Sequence, residues 1–505
     1  LSAPRRLAWE PMYATVASAT VVGVDAVRVT VEVMVSGGLP SFTIVGLPGA
    51  AVQESRERVR AALKRLGLPL PPSRVTVNLA PADVRKDGPA FDLPIALGLL
   101  AAAGRVPVRG LDGHLAFGEL ALDGALRPVR GAVSVAVEAQ AAGLALICAP
   151  ANAVEAAAVP GAVALAPRTL AEVVDHLRGR GRLRPVPAPP VAPPAALPDL
   201  ADVRGQELGK RLLEVAAAGR HNALLTGPPG AGKTMLATRL PSLLPPLGTR
   251  GAVEVGRVYS AAGLSRGHGL DRSPPFRAPH HSGSSAGIVG GGSSVRPGEA
   301  SLAHLGVLFL DEAPEFARPV LEALRQPLES GVIVISRASG AVELPARFQL
   351  VAARNPCPCG RALDDDPHAC VCSRSELLRY AARLSGPLLD RIDLHLTVPR
   401  LSRDELLAAP PGEPSAVVAR RVAAAREAAL ARQGCLNADL AGPELRRLAL
   451  PSGPGASLLR DLVDRLRLTG RGFDRLLRVA RTVADLAGAS EVRAEHLAEA
   501  AAFRA

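Results

Sequence analysis

Aromatic residues are scarce: nine Phe, three Tyr and one Trp make up 3% of the 505-residue chain. With hydrophobic content at 48%, the cores must be built from aliphatic side chains and alanine, which suits a helical or α/β protein better than a β-sandwich. Lysine is scarcer still. Lys64, Lys86, Lys210 and Lys233 are the only four, so nearly all of the 59 basic residues are arginines. The net charge of +12 fits a polyanionic partner such as nucleic acid. An Ala-, Gly- and Pro-rich chain biased against lysine equally fits GC-rich coding, and composition alone does not separate the two. Six cysteines, four of them packed between positions 357 and 372, exclude a secreted disulfide framework and suit metal or redox chemistry. No apolar run reaches the roughly 18 residues of a membrane span. The nearest candidate, 141–166, is broken by Pro150, Asn152, Glu155 and Pro160. No membrane helix and no signal peptide are expected, and the expected location is cytoplasmic. Met12 reads as a natural start, so residues 1–11 are expected to have no structural role.

Length alone allows two to four domains at about 100–200 residues each. The clearest boundary is 184–198, where seven prolines in fifteen residues rule out helix or central strand and predict an extended spacer. Before it, residues 12–183 read as one α/β domain. Valines alternate through 20–35, an amphipathic helix spans 50–66 and ends at Gly67, and a short strand covers 75–79. Apolar helices at 91–103 and 132–142 and a strand at 145–148 follow. After the spacer, residues 199–400 alternate strands (223–225, 305–310, 350–353) with helices, which predicts a parallel sheet. From 401 to 505 the pattern is helical throughout, at 403–408, 414–432, 457–466, 472–487 and 494–503, and forms a lid subdomain.

The chemistry is concentrated in the second half. Gly227, Pro228, Pro229, Gly230, Ala231, Gly232, Lys233 and Thr234 match G-x-x-x-x-G-K-[ST], between an apolar strand and a helix. Glycines there let backbone N–H groups curl round phosphate. Lys233 would reach the β/γ-phosphates of ATP and Thr234 would hold Mg²⁺. Residues 307–310 are an apolar strand that delivers Asp311 and Glu312 at its C-terminal end, where open α/β sheets bind ligands. Asp311 would organise Mg²⁺ through water and Glu312 would polarise the attacking water. Asn355 ends the next strand, the place where AAA+ proteins keep the residue that positions that water. Arg391, in LSGPLLDRID at 384–393, looks like an arginine inserted into a neighbouring subunit's site to stabilise phosphoryl charge, which demands an oligomer. The competing reading is a surface Arg391–Asp393 pair. Arg471 opens a lid helix, where AAA+ proteins keep a second sensor, with Arg475, Arg478 and Arg481 following at helical spacing.

Cys357, Cys359, Cys370 and Cys372 form C-x-C…C-x-C. Four thiolates suit tetrahedral zinc, although the spacing is tighter than usual, and free or redox thiols are the alternative. The intervening residues include Asp364, Asp365, Asp366 and His368. Residues 257–300 read as a long insertion holding Arg272, Arg277, His280, His281 and Arg296. In a ring it would face the pore and touch a phosphate backbone. Adjacent histidines are poor candidates for ligands of one metal. Residues 330–346 read as a hairpin turning at Ser339 and Gly340 with Arg337 near its tip.

These motifs, in this order, resemble the YifB/ComM family of magnesium-chelatase-like AAA+ proteins. The carrying segments are YA at 13–14, GLP at 46–48, KDGP at 86–89, DVRGQ at 202–206, FRAPHHS at 276–282, VGGG at 289–292, RPGE at 296–299, LDEAPEF at 310–316, LRQPLE at 324–329, NPCPCG at 355–360 and VARTVADL at 479–486, besides the phosphate loop. The resemblance covers the chain after residue 11. It implies hexameric rings, ATP-driven movement on DNA and, for ComM itself, branch migration in natural transformation. The first domain also resembles the proteolytic domain of Lon. There KDGPS carries the nucleophile, where this chain has Ala90. The place of Lon's catalytic lysine is taken by Arg127, which stays protonated and cannot act as a base. The resemblance therefore implies the fold without peptidase activity. A chelatase-type motor and a protein-remodelling ATPase remain the rival functions. The first domain weighs against the chelatase reading, because magnesium-chelatase motor subunits are expected to lack it.

Overall fold

The computed structural model describes residues 12–69, 73–190, 197–265, 269–292, 295–337, 340–363, 370–402, 405 and 410–504. Residues 1–11, residues 191–196 of the spacer, Ser339, the segment 364–369 and most of the helix expected at 403–408 lie outside them. The chain divides into two units. One holds Leu1–Pro193 with Thr249–Arg272 and Ser293–Pro297, and the other Pro194–Gly248, Ser273–Gly292 and Gly298–Ala505.

The first unit is a mixed seven-stranded sheet. Its strands are β1 (Met12–Val22), β2 (Asp25–Ser36), β3 (Ser41–Val45), β4 (Arg74–Ala80), β5 (His114–Ala116), β6 (Ala145–Ile147) and β7 (Val163–Leu165), in the order β3-β4-β2-β1-β5-β6-β7. The valine alternation that reads as one run is folded in two. Gly23, at φ 65°, turns the chain so that β1 and β2 pair antiparallel from Val22–Asp25 to Met12–Val35. Val29, Val31, Val33 and Val35 are completely buried, as period-2 alternation requires of the face turned to the core. The helix Asp92–Ala102 packs on β1 and β2 and is buried along its whole length. Its one charge, Asp92, receives Arg58 at 2.6 and 3.0 Å, and this pairing raises the guanidinium's pKa.

Part of the insertion assigned to the ATPase core belongs instead to this first unit. The helix Thr249–Ala262 takes in the start of that insertion, 257–262, and buries Ala252, Val255 and Val258 in packing that includes the helix Ala132–Ala141. Polar bonds fix it there. Ser260 donates to Glu155 at 2.9 Å and its carbonyl accepts from Gly131 N at 3.0 Å, while Arg257 pairs with Asp25. Sequence spacing counts residues between motifs, but it does not say which core an apolar helical face will join.

The second unit holds a five-stranded, all-parallel sheet. Its strands are β8 (Ala223–Thr226), β9 (Phe276–Arg277), β10 (Val307–Leu310), β11 (Gln349–Arg354) and β12 (Leu394–Thr397), in the order β9-β10-β11-β8-β12. All four residues of β10 are buried, as a strand covered on both faces should be. The expected hairpin forms between Val332–Arg337 and Gly340–Pro345, with Arg337 opposite Gly340. The C-terminal helices Ser415–Gln433, Gly442–Ala449, Pro454–Arg465, Gly470–Leu486 and Ala494–Ala502 share a core with this sheet rather than standing apart. Among the described residues no helix is long and apolar enough to cross a membrane.

A buried polar knot ties the helices together. Asp485 accepts from Arg432 at 2.7 and 2.9 Å, Arg481 at 2.9 Å and Asn437 at 2.8 Å, with its own side chain 2% exposed. Asp485→Ala leaves buried guanidinium charge uncompensated and is expected to destabilise this unit by about 3–5 kcal/mol, read as a lower urea midpoint.

Candidate nucleotide site

Three adjacent parallel strands deliver the candidate residues to one edge of the sheet. β8 runs into the loop Gly227–Gly232, β10 into Asp311 and Glu312, and β11 into Asn355. The loop is glycine-rich for two different reasons. At Gly227 the need is room: a Cβ there would sit 2.3 Å from the carbonyl oxygen of Val398, a backbone atom that cannot step aside. Gly227→Ala should therefore displace β12 from β8, at a cost of about 1–3 kcal/mol in urea unfolding. At Gly230 (φ 80°) and Gly232 (φ 93°) the need is a left-handed backbone, and a Cβ at either would meet nothing within 4 Å.

Lys233, 8% exposed, donates from Nζ to the carbonyls of Gly227 (2.7 Å) and Pro228 (3.0 Å) and to Asn355 Oδ1 (3.1 Å). Burial lowers its pKa, opposed by the charges of Asp311 and Glu312. Thr234 Oγ1 donates to Asp311 Oδ2 at 2.7 Å, so the two residues assigned to Mg²⁺ share one spot. Glu312 adopts a left-handed backbone (φ 49°), with its N–H bonded to Asp311 Oδ1 at 3.0 Å. Its carboxylate lies 3.8 Å from His281 Nδ1. Together the phosphate loop, Asp311, Glu312, Arg354 and Asn355 line an open cleft of about 380 Å³. Arg354 is held there by Thr226 Oγ1 at 3.0 Å, and burial lowers its pKa.

Arg391 and Arg471 are not among the residues of this cleft. They line another, of about 660 Å³, together with Glu329, Asp390 and Arg475. Arg391 donates to Pro387 O at 2.6 Å and pairs with Glu329 at 2.8 Å, a hydrogen bond that lowers the Glu329 pKa. The competing Arg391–Asp393 surface pair is not what forms. Asp393 is 7% exposed and turns to His221 Nδ1 (3.5 Å) and Asn222 N (3.2 Å). Arg475, not Arg471, is the buried anchor of this region: it binds Leu389 O (3.1 Å), Ile392 O (2.9 Å) and Asp390 (3.1 Å). The four clustered cysteines come together with their Sγ atoms all within 4.8 Å of one another. Of the basic residues placed in the insertion, Arg277 is tied to Glu299 at 2.6 and 2.7 Å and Arg272 bonds Thr249 at 3.0 Å.

The family model described as magnesium chelatase, subunit ChlI, matches residues 199–406, which hold the whole cleft. Models described as subunit ChlI of Mg-chelatase and as the ChlI C-terminal part match 31–153 and 412–504. YifB of Escherichia coli K12, an uncharacterized protein, is 47% identical over 489 residues, covering 96% of this chain and 95% of its own. The competence protein ComM of Haemophilus influenzae is 45% identical over 499 residues, 97% of each chain. This chain belongs to the YifB/ComM family of magnesium-chelatase-like AAA+ proteins.

Within this YifB/ComM protein, three site residues were not singled out for these roles by sequence reasoning. His281 approaches Glu312 from a segment about thirty positions earlier, and its signals in the sequence, the H-H pair, the insertion and the FRAPHHS segment, do not point to Glu312. Gln206, at φ 53°, braces the phosphate loop by donating to Ala231 O (3.2 Å) and Pro399 O (2.8 Å). In the sequence it stands out only within the DVRGQ segment. Arg475 was counted with its neighbours but not distinguished from them.

Proposed function

We propose that this protein is a ring-forming AAA+ ATPase that works on DNA, as a branch-migration helicase or translocase in recombination or natural transformation. The observation that carries the ATPase is the convergence of Lys233, Thr234, Asp311, Glu312 and Asn355 at the ends of three neighbouring strands. The donor set fits ATP and Mg²⁺. The loop offers a backbone turn open to the cleft at Gly230 and Gly232, Lys233 an ammonium, and Thr234 with Asp311 a hydroxyl and a carboxylate 2.7 Å apart for a hard cation. Bound there, ATP would supply the scissile phosphoryl group and Mg²⁺ the charge that screens it. Glu312 would take the proton of the attacking water, with His281 orienting its carboxylate. Asn355 would fix that water's position while steadying Lys233.

Arg391 and Arg471 share a cleft away from the phosphate loop of their own chain, so in this reading both serve the nucleotide of a neighbouring copy. That requires a homo-oligomer, and the family resemblance points to a hexamer. DNA as substrate is supported by the net charge of +12 and by the name of the competence relative. Residues 12–183 are read as a Lon-like domain that lacks peptidase chemistry, because Ala90 offers no nucleophile and Arg127 no base. The test is a labelled synthetic four-way junction with a homologous arm. Conversion to products is expected with ATP, and not with a non-hydrolysable analogue. An intact junction under active ATP hydrolysis would rule the branch-migration reading out.

The alternative is a chelatase-type motor, and a specific finding favours it: all three matching family models carry the chelatase name, one over residues 31–153. The first unit therefore does not by itself separate the two functions. ATPase stimulated by a chelatase partner subunit and indifferent to DNA would decide for this alternative.

A further inference from the structure

Cys357 and Cys359 leave the end of β11 just after Asn355, and Cys370 and Cys372 return from beyond the segment 364–369. Their thiols are free of disulfides. Sγ of Cys359 lies 3.3 Å from that of Cys357 and 3.7 Å from that of Cys370, and Cys370 lies 3.8 Å from Cys357. Four ligands at about 2.3 Å around a tetrahedral ion stand about 3.8 Å from one another. The 3.7 and 3.8 Å spacings match that geometry, the 3.3 Å one is tighter, and Cys372 lies within 4.8 Å of the other three. Four sulfurs all within 4.8 Å suit one ion, not a cluster whose ligands must spread over several iron atoms. Cys357 is fully buried and the other three are half-buried, and four thiolates would fill a tetrahedral shell with no open position for substrate.

The knot abuts the nucleotide site. Gly360, at φ 78°, presses so closely on the phosphate loop that a Cβ there would lie 2.6 Å from Pro229 Cδ. Cys357 is two residues from Asn355, whose Oδ1 holds Lys233.

We propose that Cys357, Cys359, Cys370 and Cys372 bind one structural zinc ion, and that this zinc knot braces the phosphate loop through Gly360 and Pro229 and the strand end that carries Asn355. The zinc site stands independently of the DNA reading; only the bracing rests on the cleft being a nucleotide site.

The experiment is metal analysis of the full chain, purified in a phosphine reductant with neither zinc nor chelator added. About one zinc per chain is expected, released on modification of the thiols. A zinc content near zero with four freely titrating thiols in this segment overturns the site, and so does iron in place of zinc. This result needs no variant and does not depend on folding of a mutant. Cys370→Ser with Cys372→Ser should then lose the zinc, while Cys435→Ser keeps it. With circular dichroism unchanged, the double variant should bind a fluorescent ADP analogue more weakly, on the order of tenfold. If it binds as tightly as the parent, the bracing is overturned and the zinc site stands. If neither protein binds the analogue, the nucleotide reading fails and the bracing with it, while the zinc content decides the zinc site separately.

Discussion

Glu312→Gln is expected to lower steady-state ATP turnover by about 10²–10⁴-fold while leaving nucleotide affinity close to that of the parent. The amide keeps the shape of the carboxylate but cannot take a proton from water. Nothing that grips the nucleotide is altered in the proposed site, because Lys233 is held by Gly227 O, Pro228 O and Asn355 Oδ1, and Thr234 by Asp311, through bonds that do not pass through the Glu312 side chain. A fluorescent ADP analogue and a coupled ATPase assay read the two quantities separately. Equal loss of binding and turnover would contradict the role, and so would unchanged turnover. His281→Ala should give a smaller fall in turnover than Glu312→Gln, again at unchanged affinity, since it touches the reacting water only through Glu312.

Arg391→Ala should be comparably severe, at about 10³–10⁵-fold in turnover, the range found where an arginine stabilises a transferring phosphoryl group. Its structural setting makes the prediction specific. The guanidinium is tied to Glu329 at 2.8 Å and to a carbonyl, and it lines a cleft separate from its own chain's phosphate loop. In the proposed reading it acts on the nucleotide of a neighbouring copy. Mixing tests this. Arg391→Ala has an intact cleft and no finger, whereas Lys233→Ala has a finger and no working cleft. Each alone should be nearly inactive, and mixed rings should regain activity at interfaces where a sound cleft meets a sound finger. No recovery in mixed rings shown to contain both variants would remove Arg391 from the chemistry.

How much of this was legible beforehand follows from how local each signal is. The phosphate loop reads directly because its spacing and flanking pattern are all within one strand, one turn and one helix. Asp311 and Glu312 read well because an unbroken apolar strand announces its own end. The cysteine cluster was visible as pairs, but whether the pairs meet depends on the path between them. Residues supplied from a distance were harder. His281 reaches Glu312 only because the two-residue strand β9 lies beside β10, and two residues are too few to show a period. Gln206 works through a left-handed backbone that no composition rule predicts for glutamine. The insertion was misjudged for a related reason. Helix Thr249–Ala262 is amphipathic, but its apolar face names no partner, and the core it joins is that of the first unit. Arg391 illustrates the reverse: its place in the order was readable, but its partner is Glu329 from another segment and not nearby Asp393.

The proposed function requires ATP hydrolysis to be coupled to DNA. The most direct measurement is the steady-state ATPase rate with and without single-stranded and forked DNA, at two salt concentrations, beside Glu312→Gln. Strong stimulation by DNA that weakens as salt rises, and vanishes in the variant, is the expected result for a motor that grips phosphates. A robust ATPase indifferent to every DNA would contradict it and leave the chelatase-type or protein-remodelling reading in its place.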